Sequence, residues 1–247
     1  MDEGPTRALG AESRTAVITG ASSGIGRAVA IAVAGSFTDL HLLGRDSDRL
    51  DEVAEEVHAR GSTPHLRLVD LAEDGSLTQV VEALSAAISS LDLLVHSAGV
   101  VTLGRVGWSP VADLDYNYRV NLRAPWALTH ALLPLVEAAK GQIVFMNSGA
   151  GMFTRSDWGA YASTKHGLRA LADTLREEVR PLGIRVVSVF PGRTATPMQS
   201  RVCELEGRPY DPFEHIPAEI VGHMVSEAIK TPRAADVIEI NIRPGAR

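Results

Sequence analysis

The sequence predicts an α/β protein in which seven short strands form a mostly parallel sheet with helices on both faces. Short apolar segments alternate with longer amphipathic segments, which is the order that parallel strands with crossover helices require. Most of the short segments are apolar on both faces, as expected for strands buried between two helical layers. The predicted strands are residues 15–19, 40–43, 65–69, 91–95, 142–146, 184–190 and 237–242.

Two of the helices are predicted in detail from apolar residues that recur at helical spacing. The first begins after Asp46, whose side chain suits an N-terminal cap, and ends before Gly61. The second runs from Ala160 to Arg180 and ends before Gly183. Glycine at these two positions is typical of the residue that terminates a helix.

The length of 247 residues favours one large domain. Residues 1–13 are polar and are predicted to form a flexible N-terminal tail, so that residues 14–247 make up the domain. Prolines interrupt the periodicity between residues 196 and 217. We expect this segment to be an irregular insertion that covers one end of the sheet and contacts the substrate.

Composition and charge restrict the class of protein. The chain is 45% apolar and 22% charged, which excludes disordered and fibrous proteins. Its 24 basic and 30 acidic residues give a net charge of −6, which argues against nucleic acid or a membrane surface as the main partner. The single cysteine, Cys203, is expected to be an incidental surface thiol. Because one cysteine cannot form an intramolecular disulfide, the sequence fits a reducing cytoplasm. We expect neither a signal peptide nor a membrane-spanning segment.

A glycine-rich turn follows the first strand and opens a helix. Its glycines permit a tight turn and the close approach of a pyrophosphate to the N–H groups at the start of the helix. The spacing is GxxxGxG, and the chain lacks the Gly-Lys-Ser/Thr sequence of a kinase-type phosphate loop. The turn therefore predicts a dinucleotide site formed by Gly20, Ser22, Ser23, Gly24, Ile25 and Gly26.

The end of the second strand indicates which dinucleotide binds. An acidic residue at this position accepts a hydrogen bond from the 2′-hydroxyl of NAD(H), whereas arginine donates to the 2′-phosphate of NADP(H). Arg45 occupies this position, so NADP(H) is predicted and NAD(H) is the less favoured alternative. Asp39 lies at the opposite end of the strand.

Three side chains are candidates for the chemistry. Tyr161 and Lys165 are four residues apart on a predicted helix, so they lie on one face of it. A phenol titrates near 10, and a neighbouring cation brings it toward use at neutral pH. Ser148 follows the fifth strand at the carboxyl edge of the sheet, where open α/β sheets bind ligands, and its hydroxyl can polarise a carbonyl.

Taken together, these motifs resemble the single-domain short-chain dehydrogenase/reductase family. The resemblance is carried by residues 19–26, Asp70, the interval from Ser148 to Tyr161, Lys165 and Pro191-Gly192, and it extends from Thr15 to the C-terminus. It implies an open, doubly wound Rossmann-type sheet.

The resemblance also implies an active site of Asn121, Ser148, Tyr161 and Lys165. In that scheme Tyr161 exchanges a proton with the substrate oxygen, which Ser148 holds. Lys165 binds the nicotinamide ribose and lowers the pKa of the phenol. Asn121 positions a water molecule that continues the proton relay from Lys165.

Further cofactor contacts are implied in the same way. Asp70 and Leu71 correspond to positions that contact adenine. Ala98 and Gly99 correspond to positions where the backbone comes close to the cofactor. The positions that line the nicotinamide are Pro191, Gly192, Thr194 and Thr196. The chain departs from the family where Asn-Asn-Ala-Gly is usual, because it has His96-Ser97-Ala98-Gly99. We expect His96 to be a buried structural residue that replaces the hydrogen bonds of the first asparagine.

These observations predict an NADP(H)-dependent oxidoreductase that transfers hydride between the nicotinamide and the carbonyl or alcohol carbon of a small apolar substrate. The substrate pocket is expected to involve residues 100–108, 149–158 and 196–217, with an apolar lining of Met152, Phe153, Trp158, Met198 and Phe213. No metal site is predicted, because the histidines show no ligand spacing.

Two alternatives remain open. A reductase of 3-oxoacyl chains on an acidic carrier protein would use a basic patch, for which Arg123, Arg155 and Arg169 are candidates. A sensor or scaffold would bind the dinucleotide without turnover. The segments 111–139 and 160–180 match the helices that pair across the family's dimer interface, so a homotetramer or a dimer is expected.

Overall fold

A computed structural model describes residues 13–245 of the chain. Seven parallel strands form the central sheet in the order β3-β2-β1-β4-β5-β6-β9, which confirms the predicted α/β fold. The strands of this sheet are β1 (Thr15–Thr19), β2 (Asp39–Gly44), β3 (Thr63–Leu68), β4 (Leu93–His96), β5 (Gln142–Met146), β6 (Arg185–Pro191) and β9 (Glu239–Ile242). Two further short strands, β7 (Thr194–Ala195) and β8 (Ile216–Pro217), pair with each other.

Helices cover both faces of the sheet, as the apolar strands predicted. The helices are α1 (Gly24–Val33), α2 (Ser47–Ala59), α3 (Asp74–Ala87), α4 (Val111–Tyr118), α5 (Ala124–Ala139), α6 (Gly159–Val179), α7 (Pro197–Leu205) and α8 (Ala218–Lys230). Residues of α1, α2 and α8 form one apolar core with the sheet. Residues of α3, α5 and α6 form a second core on the opposite face. The sheet is therefore doubly wound.

The strand order reverses at β1, which pairs with β2 on one side and with β4 on the other. Thr19, the last residue of β1, links the end of this strand to the residues that follow β4. Its buried hydroxyl accepts hydrogen bonds from the N–H groups of Ser97 and Ala98, both at 3.0 Å. Because ligands bind at such a switch point in open α/β sheets, the fold opens a crevice between β1 and β4.

Helix α8 supports α1 from outside the sheet, and the two helices approach closely at Gly222. A Cβ atom at this position would lie 2.5 Å from the carbonyl oxygen of Ala28, so only glycine permits this helix packing. The N-terminus of α1 points into the crevice, and its position therefore depends on α8.

The segment between residues 196 and 217 is more regular than the sequence predicted. It contains α7, which the prediction of an irregular insertion missed, and a short 3₁₀ turn at Pro212–Glu214. Thr196 caps α7 by accepting from the N–H of Gln199 at 3.2 Å. The prediction for Cys203 was also wrong: its thiol is buried and accepts a hydrogen bond from the Gln199 side chain at 3.3 Å.

The predicted N-terminal tail lies outside the described residues, except for Ser13. The hydroxyl of Ser13 donates a hydrogen bond to Asp39 at 3.0 Å. Within residues 13–245, no helix is both long enough and apolar enough to cross a membrane.

Candidate active site

A cleft of about 1260 Å³ lies at the carboxyl ends of the central strands. It is lined by nearly all of the residues that the sequence motifs selected. Those residues are Gly20, Ser22, Ser23, Gly24, Ile25, Gly26, Arg45, Asp70, Leu71, Ala98, Gly99, Ser148, Tyr161, Lys165, Pro191, Gly192, Thr194 and Thr196.

The glycine turn forms the floor of the cleft without room for side chains. Gly20 has a positive φ of 67°, and a Cβ atom there would lie 2.8 Å from the backbone of Ala98. A Cβ atom on Gly26 would lie 2.1 Å from the carbonyl oxygen of Gly20. Helix α1 begins directly at this turn, so its free N–H groups face the cleft, where they suit a pyrophosphate.

Arg45, which directly follows β2, lies at one end of the cleft. The Arg45 guanidinium donates a hydrogen bond to the Tyr116 hydroxyl at 3.1 Å and lies 3.9 Å from the Asp70 carboxylate. Asp46 caps α2 through the N–H of Arg49, as predicted. Arg49, in the first turn of α2, also lines the cleft. Its role in the cleft was not predicted from the sequence.

The candidate catalytic side chains meet near the middle of the cleft. Tyr161 and Lys165 lie one turn apart on α6, with the Lys165 ammonium 5.8 Å from the centre of the phenol ring. That ammonium donates a hydrogen bond to the backbone carbonyl of Met146 at 2.9 Å. Ser148 follows β5, and its hydroxyl accepts from the N–H of Ala150 at 3.1 Å.

Burial dominates the protonation of this pair. It raises the pKa of Tyr161 to about 12, and the hydrogen bond with Ser148 acts in the opposite direction. The lowering of this pKa that the family resemblance implies is therefore not found. Burial lowers the pKa of Lys165 to about 8. At neutral pH the phenol is protonated and the amine carries its charge.

Asn121 lies behind the cleft instead of on its wall. It is fully buried in the π-helical segment Arg119–Arg123 that connects α4 and α5. Its side chain accepts from the N–H of Val100 and donates to the carbonyl of Val100, both at 2.9 Å, and donates to Thr164 at 3.2 Å. Its amide thus fixes the segment that follows Gly99 against α6.

His96 occupies a buried structural position. Its Nε2 forms a hydrogen bond with the Thr129 hydroxyl at 2.9 Å, and its ring stacks on Phe145 with 4.9 Å between ring centres. Burial lowers its pKa to about 3, so the ring is neutral. The next residue, Ser97, lines the cleft with a buried hydroxyl that has no partner within the described residues. That hydroxyl is free to bond a ligand.

The predicted substrate region is only partly correct. Phe153, Trp158 and Met198 line the cleft, whereas Met152 and Phe213 do not. The wall includes Val100 and Val101 but not residues 102–108, and it includes residues 196–202, apart from Ser200, but not residues 203–217. Four arginines line this end: Arg155, Arg193, Arg201 and Arg243. The apolar lining that the sequence predicted is therefore present in part, and arginines that were not predicted stand beside it.

The part of the chain that the structure describes contains no group of three or more histidine, cysteine, aspartate or glutamate side chains placed to hold a metal ion.

Comparison with known proteins decides the family. A family model described as short chain dehydrogenase matches residues 14–206. The chain belongs to the short-chain dehydrogenase family. It is accordingly an oxidoreductase, and the predicted family resemblance is confirmed.

Relatives and solved structures agree with this assignment. The short-chain dehydrogenase described here is 32% identical to oxidoreductase UcpA of Salmonella typhimurium over 229 residues, which cover 92% of this chain and 84% of that protein. Its fold matches an alcohol dehydrogenase from the archaeon Thermococcus sibiricus, complexed with 5-hydroxy-NADP, with a TM-score of 0.85 and 26% identity over 94% of this chain and 97% of that one. It also matches a metagenomic short-chain oxidoreductase in complex with NADP, with a TM-score of 0.81 and 29% identity over 95% and 98% of the two chains.

Proposed function

We propose that this short-chain dehydrogenase is an NADP(H)-dependent reductase of a small carbonyl compound. The observation that carries the proposal is that one cleft joins the glycine turn and Arg45 at one end to Ser148, Tyr161 and Lys165 farther along. NADP(H), when bound, supplies or accepts the hydride. Two structural relatives in complex with NADP or a derivative support this cofactor.

The residues present fit the cofactor. The glycine turn packs so closely that a Cβ atom on Gly20 or Gly26 would meet backbone atoms, and the start of α1 provides N–H groups for a pyrophosphate. Arg45 donates to a 2′-phosphate, and Arg49, in the first turn of α2, lines the same cleft. The unpartnered hydroxyl of Ser97 is an additional donor on the cofactor side. Lys165 holds ribose hydroxyls with the N–H groups that Met146 does not use.

In the reductive direction, Ser148 donates a hydrogen bond to the substrate carbonyl oxygen, and Tyr161 delivers its proton to that oxygen. The raised pKa of Tyr161 keeps the phenol protonated and ready to act as the acid. The charged Lys165 then stabilises the phenolate that remains, because its ammonium lies beside the ring. Asn121 positions the backbone of Val100 and the side chain of Thr164, and through them the wall behind Lys165.

The alternative of a carrier-protein substrate receives little support from the candidate basic patch. Arg123 forms an ion pair with Asp74. Arg169 is shared between Asp173 at 3.6 Å and Glu239 at 3.3 Å. Of the three candidates, Arg155 alone has no carboxylate partner within the described residues, so the three do not form a continuous docking surface.

Self-association through α4 and α5 is part of the proposal. Val111 and Tyr118 on α4 and Trp126 on α5 are 73%, 46% and 60% exposed. Apolar surface of this kind is typical of an interface between subunits, and a homotetramer or dimer in the cytoplasm would cover it. Light scattering of the wild type and of Trp126→Glu tests this, because the variant is expected to shift the mass toward the monomer.

Fluorescence titration with NADPH and NADH tests the cofactor. Wild type is expected to bind NADPH about 10- to 100-fold more tightly than NADH, as a charge-assisted hydrogen bond to the 2′-phosphate implies. Arg45→Asp should abolish or reverse this preference. Binding of neither cofactor, or equal binding of both by the wild type, would overturn the assignment. A sensor without chemistry would bind NADPH and leave a broad panel of carbonyl compounds unreduced.

A further inference from the structure

The substrate end of the cleft is strongly basic. Arg155, Arg193, Arg201 and Arg243 line it, whereas the acidic side chains that line the cleft, Asp46 and Asp70, lie at the opposite end beside Arg45 and Arg49. A purely apolar substrate gives no reason for this concentration of guanidinium groups.

Two of the four arginines form ion pairs with glutamates, one on α7 and one directly after it. Arg201 pairs with Glu204 at 2.6 Å, and Arg193 pairs with Glu206 at 2.7 Å. Glu206 also binds Arg208 at 2.9 Å, so its carboxylate is held by two guanidinium groups. The hydrogen bond from Arg193 holds the pKa of Glu206 below its usual value, and the charge of Arg155 adds to this effect. Glu206 is thus occupied and remains ionised.

Arg155 and Arg243 are the two arginines of this group that have no acidic partner within the described residues. No carboxylate oxygen lies within 4.0 Å of the Arg155 guanidinium, which instead lies over the Trp158 ring, 4.5 Å from its centre. The Arg243 guanidinium lies 5.6 Å from the centre of the Phe153 ring, and Arg243 also borders a second groove with Glu214. Contact with Trp158 restrains the exposed Arg155 side chain, and a restrained guanidinium favours bidentate binding of an oxyanion.

Arg155 is also close to the reacting groups. Trp158 packs edge-on against Tyr161, with 5.7 Å between ring centres and 71° between ring planes. The Trp158 ring therefore contacts both the Arg155 guanidinium and the Tyr161 phenol. A substrate whose carbonyl lies at Tyr161 can extend along the Trp158 ring and place a second group against Arg155.

We infer that the substrate carries an oxyanion, a carboxylate or a phosphate, that Arg155 binds beside the Trp158 ring. This inference rests on the proposed function and specifies its substrate class. The aliphatic or aromatic part of the substrate lies against Trp158, Phe153 and Met198, which also line the cleft. The cleft thus combines an apolar wall with a basic contact.

The test compares medium-chain oxo acids with their primary amides and with oxoalkyl phosphates as substrates, at saturating NADPH. Because a hydrogen-bonded charge pair is worth about 1.5–3 kcal/mol, kcat/KM for the preferred anion should exceed that of the amide by about 10- to 100-fold. The carboxylate and phosphate series distinguish the two oxyanions. Arg155→Gln should remove the preference for the anion while leaving NADPH affinity and the rate with the amide nearly unchanged.

Arg105→Gln is the matched control. Arg105 also stacks on a tryptophan, Trp108, at 4.9 Å, but neither residue lines the cleft. This variant should keep the full preference for the anion. Equal reduction of amides and acids by the wild type, or a preference that survives in Arg155→Gln, would overturn the inference while leaving the proposed function intact.

A binding measurement separates failure of the inference from failure of the proposed function. Calorimetric titration of the NADP⁺ complex with the same acids, phosphates and amides detects the oxyanion contact without turnover. Anion-selective binding that Arg155→Gln weakens would support the inference even if no compound in the series is reduced. Absence of any difference between anions and amides in this titration would overturn it. Failure of the proposed function would appear separately, as absence of NADPH binding or of any carbonyl reduction.

Discussion

The ammonium group of Lys165 lies 5.8 Å from the centre of the Tyr161 ring, and both side chains are buried. Burial acts on the two groups in opposite directions, because it disfavours the charged form of each. The pKa of the phenol rises to about 12 and the pKa of the amine falls to about 8. Between these two values neither side chain carries a charge, and below the lower one only Lys165 does.

The rate of carbonyl reduction should depend on the charge of Lys165. The pKa of about 8 means that the ammonium persists below this pH and is lost above it. We expect kcat to decline as the pH rises through about 8, since a neutral amine no longer stabilises the Tyr161 phenolate. Steady-state rates measured across this range check the prediction. Lys165→Met should be slow at every pH, and a wild-type rate that stays constant well above this pH would contradict the assigned role.

Tyr161→Phe should remove the proton donor without disturbing the cofactor site. Loss of a positioned general acid costs about 10²- to 10⁴-fold in kcat. NADPH affinity should be unchanged, because the floor of the cofactor site is built from the glycine turn. Tyr210→Phe is the matched control, since Tyr210 does not line the cleft. A fully active Tyr161→Phe variant would exclude Tyr161 as the acid.

Thr19→Val should weaken both the fold and the cofactor site. The valine has the shape of threonine but leaves the N–H groups of Ser97 and Ala98 without their acceptor. An unpaired group costs about 1–3 kcal/mol when it is fully buried, and since these two N–H groups are partly buried the free energy of unfolding should fall by about 1–2 kcal/mol. Denaturant unfolding with and without NADPH measures both effects. Thr19→Ser retains the hydroxyl and should recover most of the loss; equal losses in both variants would argue against the hydroxyl as the cause.

His96 should make the protein sensitive to acid. Burial lowers its pKa from 6.5 to about 3, so the unfolded chain binds a proton that the folded chain excludes. As far as His96 is concerned, the free energy of unfolding is highest above pH 6.5, and it decreases as the pH falls from 6.5 toward 3. By linkage the loss at pH 5 amounts to about 2 kcal/mol.

Urea unfolding at pH 7 and at pH 5, for the wild type and for His96→Asn, measures this contribution. His41 is also buried, and burial lowers its pKa to about 4, so both proteins should lose stability in acid. The wild type should lose about 2 kcal/mol more than the variant. Equal losses would show that His96 does not carry the effect.

The sheet was predictable because its central strands β1, β4, β5 and β6 are buried throughout and mostly apolar, although the edge strands β3 and β9 are only partly buried. Helix α7 was not predictable, and the reason lies in its own residues. Its buried residues include the polar Gln199, which breaks the apolar pattern, and Pro197 was interpreted as an interruption. Proline is favourable in the first turn of a helix, and Thr196 directly before it is a capping residue, so the two together mark a helix start.

The residues of the candidate site were likewise predictable only in part. Ser148, Tyr161 and Lys165 were predictable because motif spacing fixes them relative to strand ends and to one helix face. Arg193, Arg201 and Arg243 were not, since each comes from a different segment of the chain and only the fold brings them to the end of the cleft. Arg155 was considered as a contact for a carrier protein, and the ion pairs of Arg123 and Arg169 show why those three arginines do not act together.

The close packing of Gly222 against Ala28 has a consequence for how the protein is made. The first helix, which presents the pyrophosphate site, precedes most of the sheet in the chain, whereas α8, the partner that supports it, follows strands β1 to β8. A ribosome-bound chain that has not yet released α8 cannot complete this support. We therefore expect nascent chains to acquire the dinucleotide only after α8 has left the ribosome.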